Sequence, residues 1–218
     1  MSKIRDFILY ILVYLPMVVV TFLLFRVLNR LKVRGKELLP RGEGMLVMAN
    51  HVSALDSWLI GHIFFPRKVL FPAKAELFKN FFMRLFISAN GAFPVFRGRY
   101  NERAMQKICE LSHNHIVVMH PEGTRSLDGK IGKGMRGVGK IIYDSNAVVV
   151  PLVADGMLKF LPKGKVIPGF FNDLRIVIGK PVDFSEYKKR EPSNELYAEM
   201  VEKLIHEMRK LAPEMSLE

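Results

Sequence analysis

His51 and Asp56 stand five positions apart in the stretch ANHVSALDSWL, with Ser53 between them and Trp58 just after. An imidazole and a carboxylate are the two halves of a general base. The carboxylate fixes the ring's tautomer and steadies its positive charge, and the other ring nitrogen takes a proton. On one regular helix the two side chains would diverge by roughly 140° and fail to meet. The apolar run MLVMAN before the histidine reads as a buried strand. His51 then belongs to a loop at a strand end and Asp56 to the helix that follows, and the objection lapses. The same residues also have a structural use: Ser53-Ala-Leu-Asp56 fits a capping box, with Asp56 merely closing a helix.

Two further stretches carry chemistry. HPEGTRS, His120 to Ser126, follows the apolar strand HIVVM. Glu122 offers an acceptor suited to hydroxyls, Gly123 allows close backbone approach, and Arg125 presents a planar fork for phosphate or carboxylate. Its bland alternative is an ordinary turn with a solvated ion pair. GAFPVFRGR ends on Arg97 and Arg99 around a glycine, which suits a phosphate monoester beside a greasy surface; a solvated basic rim is the bland alternative. Arg67, Lys68, Lys74 and Arg103 add to the same sign of field.

Several signals are weaker. GKGMRG fits a dinucleotide fingerprint by letter but follows a polar stretch rather than a strand, so it reads as a mobile basic loop opening a helix. His113, His115 and His120 lack partners at zinc-site spacing, and no metal is expected. Cys109, the one cysteine, excludes an internal disulfide framework and reads as a small buried apolar group. There is no G-x-S-x-G elbow and no phosphate-binding P-loop, so neither an acyl-serine nor a nucleotide enzyme is indicated. His62 and His206 sit in helical patterns and read as structural.

These residues need a scaffold. A chain of 218 residues, 50% hydrophobic and 25% charged, buries one sizeable core and is not disordered. Beyond MLVMAN and HIVVM, strands are expected at KVLFPA, GAFPVF, AVVVPLVADG and LRIVIG. Helices are expected over Ala54–Phe65, Glu76–Ser88, Glu102–Ser112, Gly137–Asp144 and Ser193–Leu211. In the last, Leu196, Met200, Leu204, Met208 and Leu211 recur at helical spacing, with Ser193 able to cap it. Alternating strands and helices predict an α/β fold, a largely parallel central sheet flanked by helices, with ligands at the carboxyl ends of strands.

The net charge of +12 calls for an anionic partner, and the N-terminus says which. FILYILVYLPMVVVTFLLF, Phe7 to Phe25, runs nineteen residues without a charge. That is about 28 Å of helix, a marginal membrane span. Pro16 in its middle should kink or break it, so two short helices dipping into one leaflet are the alternative to a straight span. Lys3 and Arg5 precede the run and Arg26, Arg30, Lys32 and Arg34 follow it, which places the remaining chain on the cytoplasmic side of the inner membrane. Residues 1–34 then form a hydrophobic membrane-anchoring helical segment and residues 35–218 the catalytic domain. A nucleic-acid platform is disfavoured, because aromatic residues are not interleaved with basic ones.

The blocks in this order resemble the glycerolipid acyltransferase family, in particular the bacterial 1-acylglycerol-3-phosphate acyltransferases. NHVSALD matches the His-x4-Asp block, Gly91 to Arg97 the second, PEGTRS the third and VVVPL around Pro151 the fourth; Lys74 in AKAELF resembles a basic position between the first two. The resemblance covers roughly Asn50 to Asp155. It implies that His51 and Asp56 are catalytic, and that Lys74, Arg97, Glu122, Gly123, Thr124 and Arg125 bind substrate. It implies acyl transfer from an acyl-CoA or acyl carrier protein thioester to the 2-hydroxyl of lysophosphatidic acid, giving phosphatidic acid, with no cofactor and no acyl-enzyme. The same chemistry on another lysolipid acceptor stays open. His120 stands where the family usually has phenylalanine, which could reshape the pocket or add a titrating group.

Overall fold

The computed structural model describes residues 2–42, 44–96 and 102–212. Seven strands form one sheet: β1 (Lys32–Arg34), β2 (Met45–Ala49), β3 (Val69–Lys74), β4 (Ala92–Val95), β5 (Ile116–Met119), β6 (Val148–Asp155) and β7 (Arg175–Ile178). The spatial order is β1-β7-β6-β2-β5-β3-β4, and every neighbouring pair is parallel except β6 with β7. The fold is therefore α/β with a largely parallel central sheet, as the alternation of elements predicts.

The central strands are apolar throughout because they are covered on both faces. Alternate residues feed two cores. Met45, Val47, Ala49, Ile116, Val118, Val150 and Leu152 face α3 (Asp56–Phe64), α7 (Met157–Phe160) and the N-terminal helix. Leu46, Met48, Val117, Met119, Val149 and Val153 face α5 (Glu102–Asn114), α6 (Arg136–Asp144) and, after the short α8 (Ser185–Lys188), α9 (Asn194–Leu211). The expected stripe on α9 is the buried one, and the Ser193 hydroxyl caps it, accepting from the Leu196 N–H at 3.1 Å.

Three elements depart from expectation. Glu76–Ser88 is not one helix: a single 3-10 turn, Ala75–Phe78, is followed by α4 (Phe81–Ala89). Asn80 divides them, taking an extended backbone and accepting the Met83 N–H at 3.0 Å, because an N-cap starts a helix anew. The chain also does not break at Pro16. It stays helical through α1 (Ser2–Leu9), a π-helical turn (Tyr10–Tyr14), α2 (Leu15–Phe22) and a second π turn (Leu23–Val27). Pro16 sits in the first turn of α2, where its missing N–H costs least, and the wider turn before it absorbs the change in bonding pattern. Lastly, Lys32–Arg34, grouped from sequence with the helical segment 1–34, forms an edge strand beside β7.

The N-terminal helix is one-sided. Tyr14, Thr21 and Phe25 are buried at helical spacing, with Phe25 inside the first core. Ile8, Ile11, Leu12, Val19, Val20, Leu23 and Val27 point outward and are exposed. The stretch Phe7–Val27 is long and apolar enough to cross a membrane, with a mean hydropathy of 2.6 and 11% of it buried. That exposure rules out a buried core helix.

Candidate active site

The register of the central strands brings the two main motifs together. Met48 on β2 lies opposite Met119 on β5, so the segments leaving the two strands emerge side by side. One carries Asn50 and His51, the other His120, Pro121 and Glu122. Asn50 lies buried and continues the sheet with its side chain, accepting the Ala154 N–H at 2.8 Å and donating to the Ala154 carbonyl at 2.9 Å. The loop bearing His51 is thereby tied to β6.

Asp56 opens α3 with 1% of its surface exposed. Its Oδ2 accepts the Val52 N–H at 2.7 Å and the Ser53 N–H at 2.8 Å, and lies 2.9 Å from Nδ1 of His51. Leu55 rather than Ser53 caps α3, without a side-chain cap bond, so the capping box does not form and the carboxylate serves the loop and the imidazole instead. The two backbone donors fix the oxygen, and the oxygen fixes the imidazole. With Nδ1–H donated to Asp56, Nε2 of His51 is the atom left to take a proton, and the ring keeps 16% of its surface exposed. Oδ1 of Asp56 is buried and takes no hydrogen bond from any described residue.

A second ring backs the first. His120 stacks on His51 with centroids 4.1 Å apart and planes 10° from parallel. Its Nδ1 lies 3.0 Å from the carbonyls of Ala49 and Asn50, and its Nε2 lies 3.2 Å from the Ser57 hydroxyl. The carbonyls accept only, so Nδ1 carries the hydrogen and Nε2 accepts from Ser57. Burial, then the neighbouring His51, pushes the His120 pKa down to about 4. At neutral pH His120 is an uncharged aromatic plate, and the added titrating group that the sequence allowed is not realised there.

Glu122 is half-buried and its two oxygens are spent on backbone. Oε1 accepts the His51 N–H at 3.0 Å and Oε2 the Gly132 N–H at 2.9 Å. The Ser126 N–H donates to the His51 carbonyl at 2.6 Å, and the Met135 N–H to Pro121 at 2.7 Å. The GKGMRG stretch, read from sequence as a mobile loop, is instead strapped to the site at both ends. Gly123 has φ of 67° in the turn, a left-handed backbone that favours glycine, and an added Cβ would also displace the flexible Met135 side chain. Thr124 is exposed and Arg125 half-buried on the same loop, while Lys74 is exposed at the carboxyl end of β3. Among the described residues no carboxylate pairs with the side chain of Lys74 or Arg125. Arg97, expected to hold phosphate, lies outside the described residues.

A narrow, mainly apolar crevice of about 40 Å³ starts beside this cluster. Ser57 and Trp58 line its near end, and Gly61 of α3 with Met17 and Val18 of α2 line its flanks. Ser57 is the residue bonded to His120, so the crevice begins two side chains from His51.

Other sequence candidates fall away. His51, Asp56 and His120 have ligand atoms close enough to share an ion, but His120 uses both ring nitrogens and Nδ1 of His51 is bonded to Oδ2 of Asp56. His113 and His115 are not in that group. Burial raises the Cys109 thiol pKa to about 11, which makes it a poor nucleophile. Asn50, Ser57 and the scaffolding use of Glu122 escaped the sequence, because each depends on partners 63 to 104 residues away.

A largely parallel sheet with a buried carboxylate orienting a histidine at its strand ends makes an α/β site suited to general-base chemistry. The chain belongs to the acyltransferase family, whose model, described as "Acyltransferase", matches residues 30–155. A 1-acyl-sn-glycerol-3-phosphate acyltransferase of Bacillus subtilis (strain 168) is 29% identical over 184 residues, 83% of this chain and 87% of that protein. The chloroplastic 1-acyl-sn-glycerol-3-phosphate acyltransferase LPAT1 of Arabidopsis thaliana is 28% identical over 163 residues, 72% of this chain but 45% of that longer protein. The crystal structure of the 1-acyl-sn-glycerophosphate (LPA) acyltransferase PlsC from Thermotoga maritima shares the fold, with a TM-score of 0.67 over 100% of this chain and 99% of that one at 24% identity.

Proposed function

We propose that this acyltransferase moves a fatty acyl group from a CoA or acyl carrier protein thioester to the 2-hydroxyl of 1-acylglycerol-3-phosphate, at the surface of a membrane. The observation that carries this reading is the His51–Asp56 pair, oriented and with Nε2 available, at the mouth of an apolar crevice. Nε2 takes the proton of the lipid hydroxyl as its oxygen attacks the thioester carbonyl carbon. The C–O bond forms, the C–S bond breaks, and the imidazolium returns its proton to the departing thiolate. Asp56 holds the tautomer and steadies the transient cation. A general base of this kind contributes about 10²- to 10⁴-fold, and positioning supplies much of the rest. Arg97, Arg125 and Lys74 are the cations for the acceptor phosphate. Glu122 acts from behind, as a brace for the His51 loop, while Gly123 and Thr124 shape the glycerol end.

The outward apolar face of the N-terminal helix supports membrane attachment, and its packing bears on how. The Tyr10–Tyr14 turn packs on α4 and α2 packs on α3. A helix crossing the bilayer would carry α4, with Arg84, into hydrocarbon. We therefore read the helix as lying along one leaflet, with the domain on one side and lipid on the other. The positive charge and the cytoplasmic origin of both acyl donors favour the cytoplasmic surface of the inner membrane.

A panel of lyso-acceptors with one radiolabelled acyl donor tests the acceptor. Lysophosphatidic acid should be acylated fastest and give phosphatidic acid. Faster acylation of a lysophosphodiester would transfer the same chemistry to that acceptor.

A further inference from the structure

A second apolar feature lies beside the N-terminal helix. The segment VIPGFF, Val166–Phe171, contains no charge. Val166 is 89% exposed, Ile167 78% and Phe171 76%, and Phe170 also faces solvent. Isolated exposed apolar residues need no explanation, but four within six positions on one projection do.

The projection is built rather than loose. The Phe171 N–H donates to the Leu28 carbonyl at 2.7 Å, at the carboxyl end of the helix. Buried Asn29 ties the next residue: its Oδ1 accepts the Asn172 N–H at 2.9 Å, and its own amide donates to Leu24 at 2.9 Å. On the other flank the Gly169 N–H donates to Phe160 at 2.7 Å. Phe171 holds a φ of 61°, a left-handed backbone that bulky residues rarely adopt, so the fold sustains strain while leaving the ring in solvent. The patch continues the helix's own lipid-facing surface, because Leu23 and Val27 are exposed at the end to which the loop is tied. Lys163 and Lys165 are exposed just before it, and Arg30 donates to the Phe171 carbonyl.

We propose that the Val166–Phe171 loop is a second membrane-insertion element, entering the leaflet beside the N-terminal helix while Lys163 and Lys165 meet anionic headgroups; Arg30, paired with Asp173 at 2.9 Å, holds the loop's base. The proposal rests on the membrane-surface reading above and adds a second point of attachment. One helix leaves a protein free to roll about that helix's axis. A second contact beyond its end sets the roll, and with it the height of the crevice mouth over the bilayer. Apolar tip and basic flank divide the work as interfacial anchors do.

The test uses the full chain with Ile167→Cys carrying an environment-sensitive fluorophore. Cys109, with its raised pKa, leaves the unsubstituted chain as the blank at neutral pH. A second labelled chain, Val19→Cys, reports the outer face of the helix. Vesicles of phosphatidylglycerol and phosphatidylcholine should blue-shift both labels, protect both from iodide, and expose both to quenching by spin-labelled lipid. Pure phosphatidylcholine should do so less for residue 167. The doubly substituted Val166→Asp, Ile167→Asp chain should lose about tenfold in vesicle partitioning while acylating micellar substrate at the wild-type rate. A shift at residue 19 with residue 167 still open to iodide would overturn the proposal and leave helix attachment standing. A concentration-dependent shift at 167 without vesicles would replace the lipid by a second copy of the chain. No shift at either position would remove membrane attachment altogether, and the loop proposal with it.

Discussion

The base pocket and the outward apolar face of the N-terminal helix are specified in opposite ways. In the pocket most polar atoms have partners at fixed distances: Oδ2 of Asp56 holds three groups, both oxygens of Glu122 hold backbone N–H groups, and both ring nitrogens of His120 are engaged. On the outer face of the helix, Val19, Val20, Leu23 and Val27 have no polar demands and no fixed neighbour. Hydrogen bonds are directional and short-ranged, so one changed atom matters in the pocket. The hydrophobic effect scales with area and has no direction, so on the outer face only the sum matters. Substitutions should therefore act steeply in one region and shallowly in the other.

The steepest effect among the supports of His51 is expected at Asp56. Asp56→Asn removes the charge that favours the Nδ1–H tautomer and turns one acceptor oxygen into a donor amide. Steady-state kcat/KM should fall between about 10³- and 10⁴-fold with the helix content unchanged. A loss of less than tenfold would break the contrast at its sharpest point. Glu122→Gln should cost about 10²-fold in kcat with KM little altered, since an amide nitrogen cannot accept the N–H of either His51 or Gly132 and the base shifts from its place. A larger change in KM than in kcat would instead put Glu122 in contact with substrate.

His120 gives a signed prediction about pH. In the unfolded chain its pKa is near the ordinary histidine value of about 6.5. In the fold it lies at about 4. Between those values the unfolded chain binds a proton that the folded chain does not, so stability falls as pH drops through that window. The full loss is on the order of 3 kcal/mol at pH 4 and below. Phenylalanine keeps a ring against His51 and cannot bind the proton. From pH 7 to pH 4 the melting temperature of wild type should therefore fall more steeply than that of His120→Phe. Parallel curves would show that the proton is accommodated in the fold.

The shallowest effect is expected on the outer face. Val20→Ser should leave the melting temperature within error and weaken vesicle binding by about fivefold or less, in a co-sedimentation assay. A large loss from that single change would mean that the helix face is a shaped interface after all.

The same contrast explains what the sequence disclosed. Composition and period reveal area, so the apolar helix, the buried strands and the stripe on α9 were legible, and so was the three-layer α/β plan. Local spacing revealed the His51–Asp56 pair, because both ends of that bond lie within one loop and one helical turn. Partners distant in the chain stayed hidden. Nothing in PEGTRS says that Glu122 would bind the backbone of His51, and nothing near Asn50 points to Ala154. The direction of β7 depends on a connection of nineteen residues, Gly156 to Leu174, whose path no local signal sets. Pro16 misled for a related reason: its effect is local, but the π turn that accommodates it spreads over residues that look like ordinary helix.

One measurement bears most directly on the proposition that a carboxylate-braced imidazole removes the proton of a lipid hydroxyl. Purified His51→Ala should be assayed for transfer of a radiolabelled acyl group to lysophosphatidic acid, alongside its melting temperature. The expected result is a rate lower by about 10²- to 10⁴-fold in a chain that still folds. Acyl transfer within about twofold of wild type, too small a difference for the loss of a general base, would contradict the account.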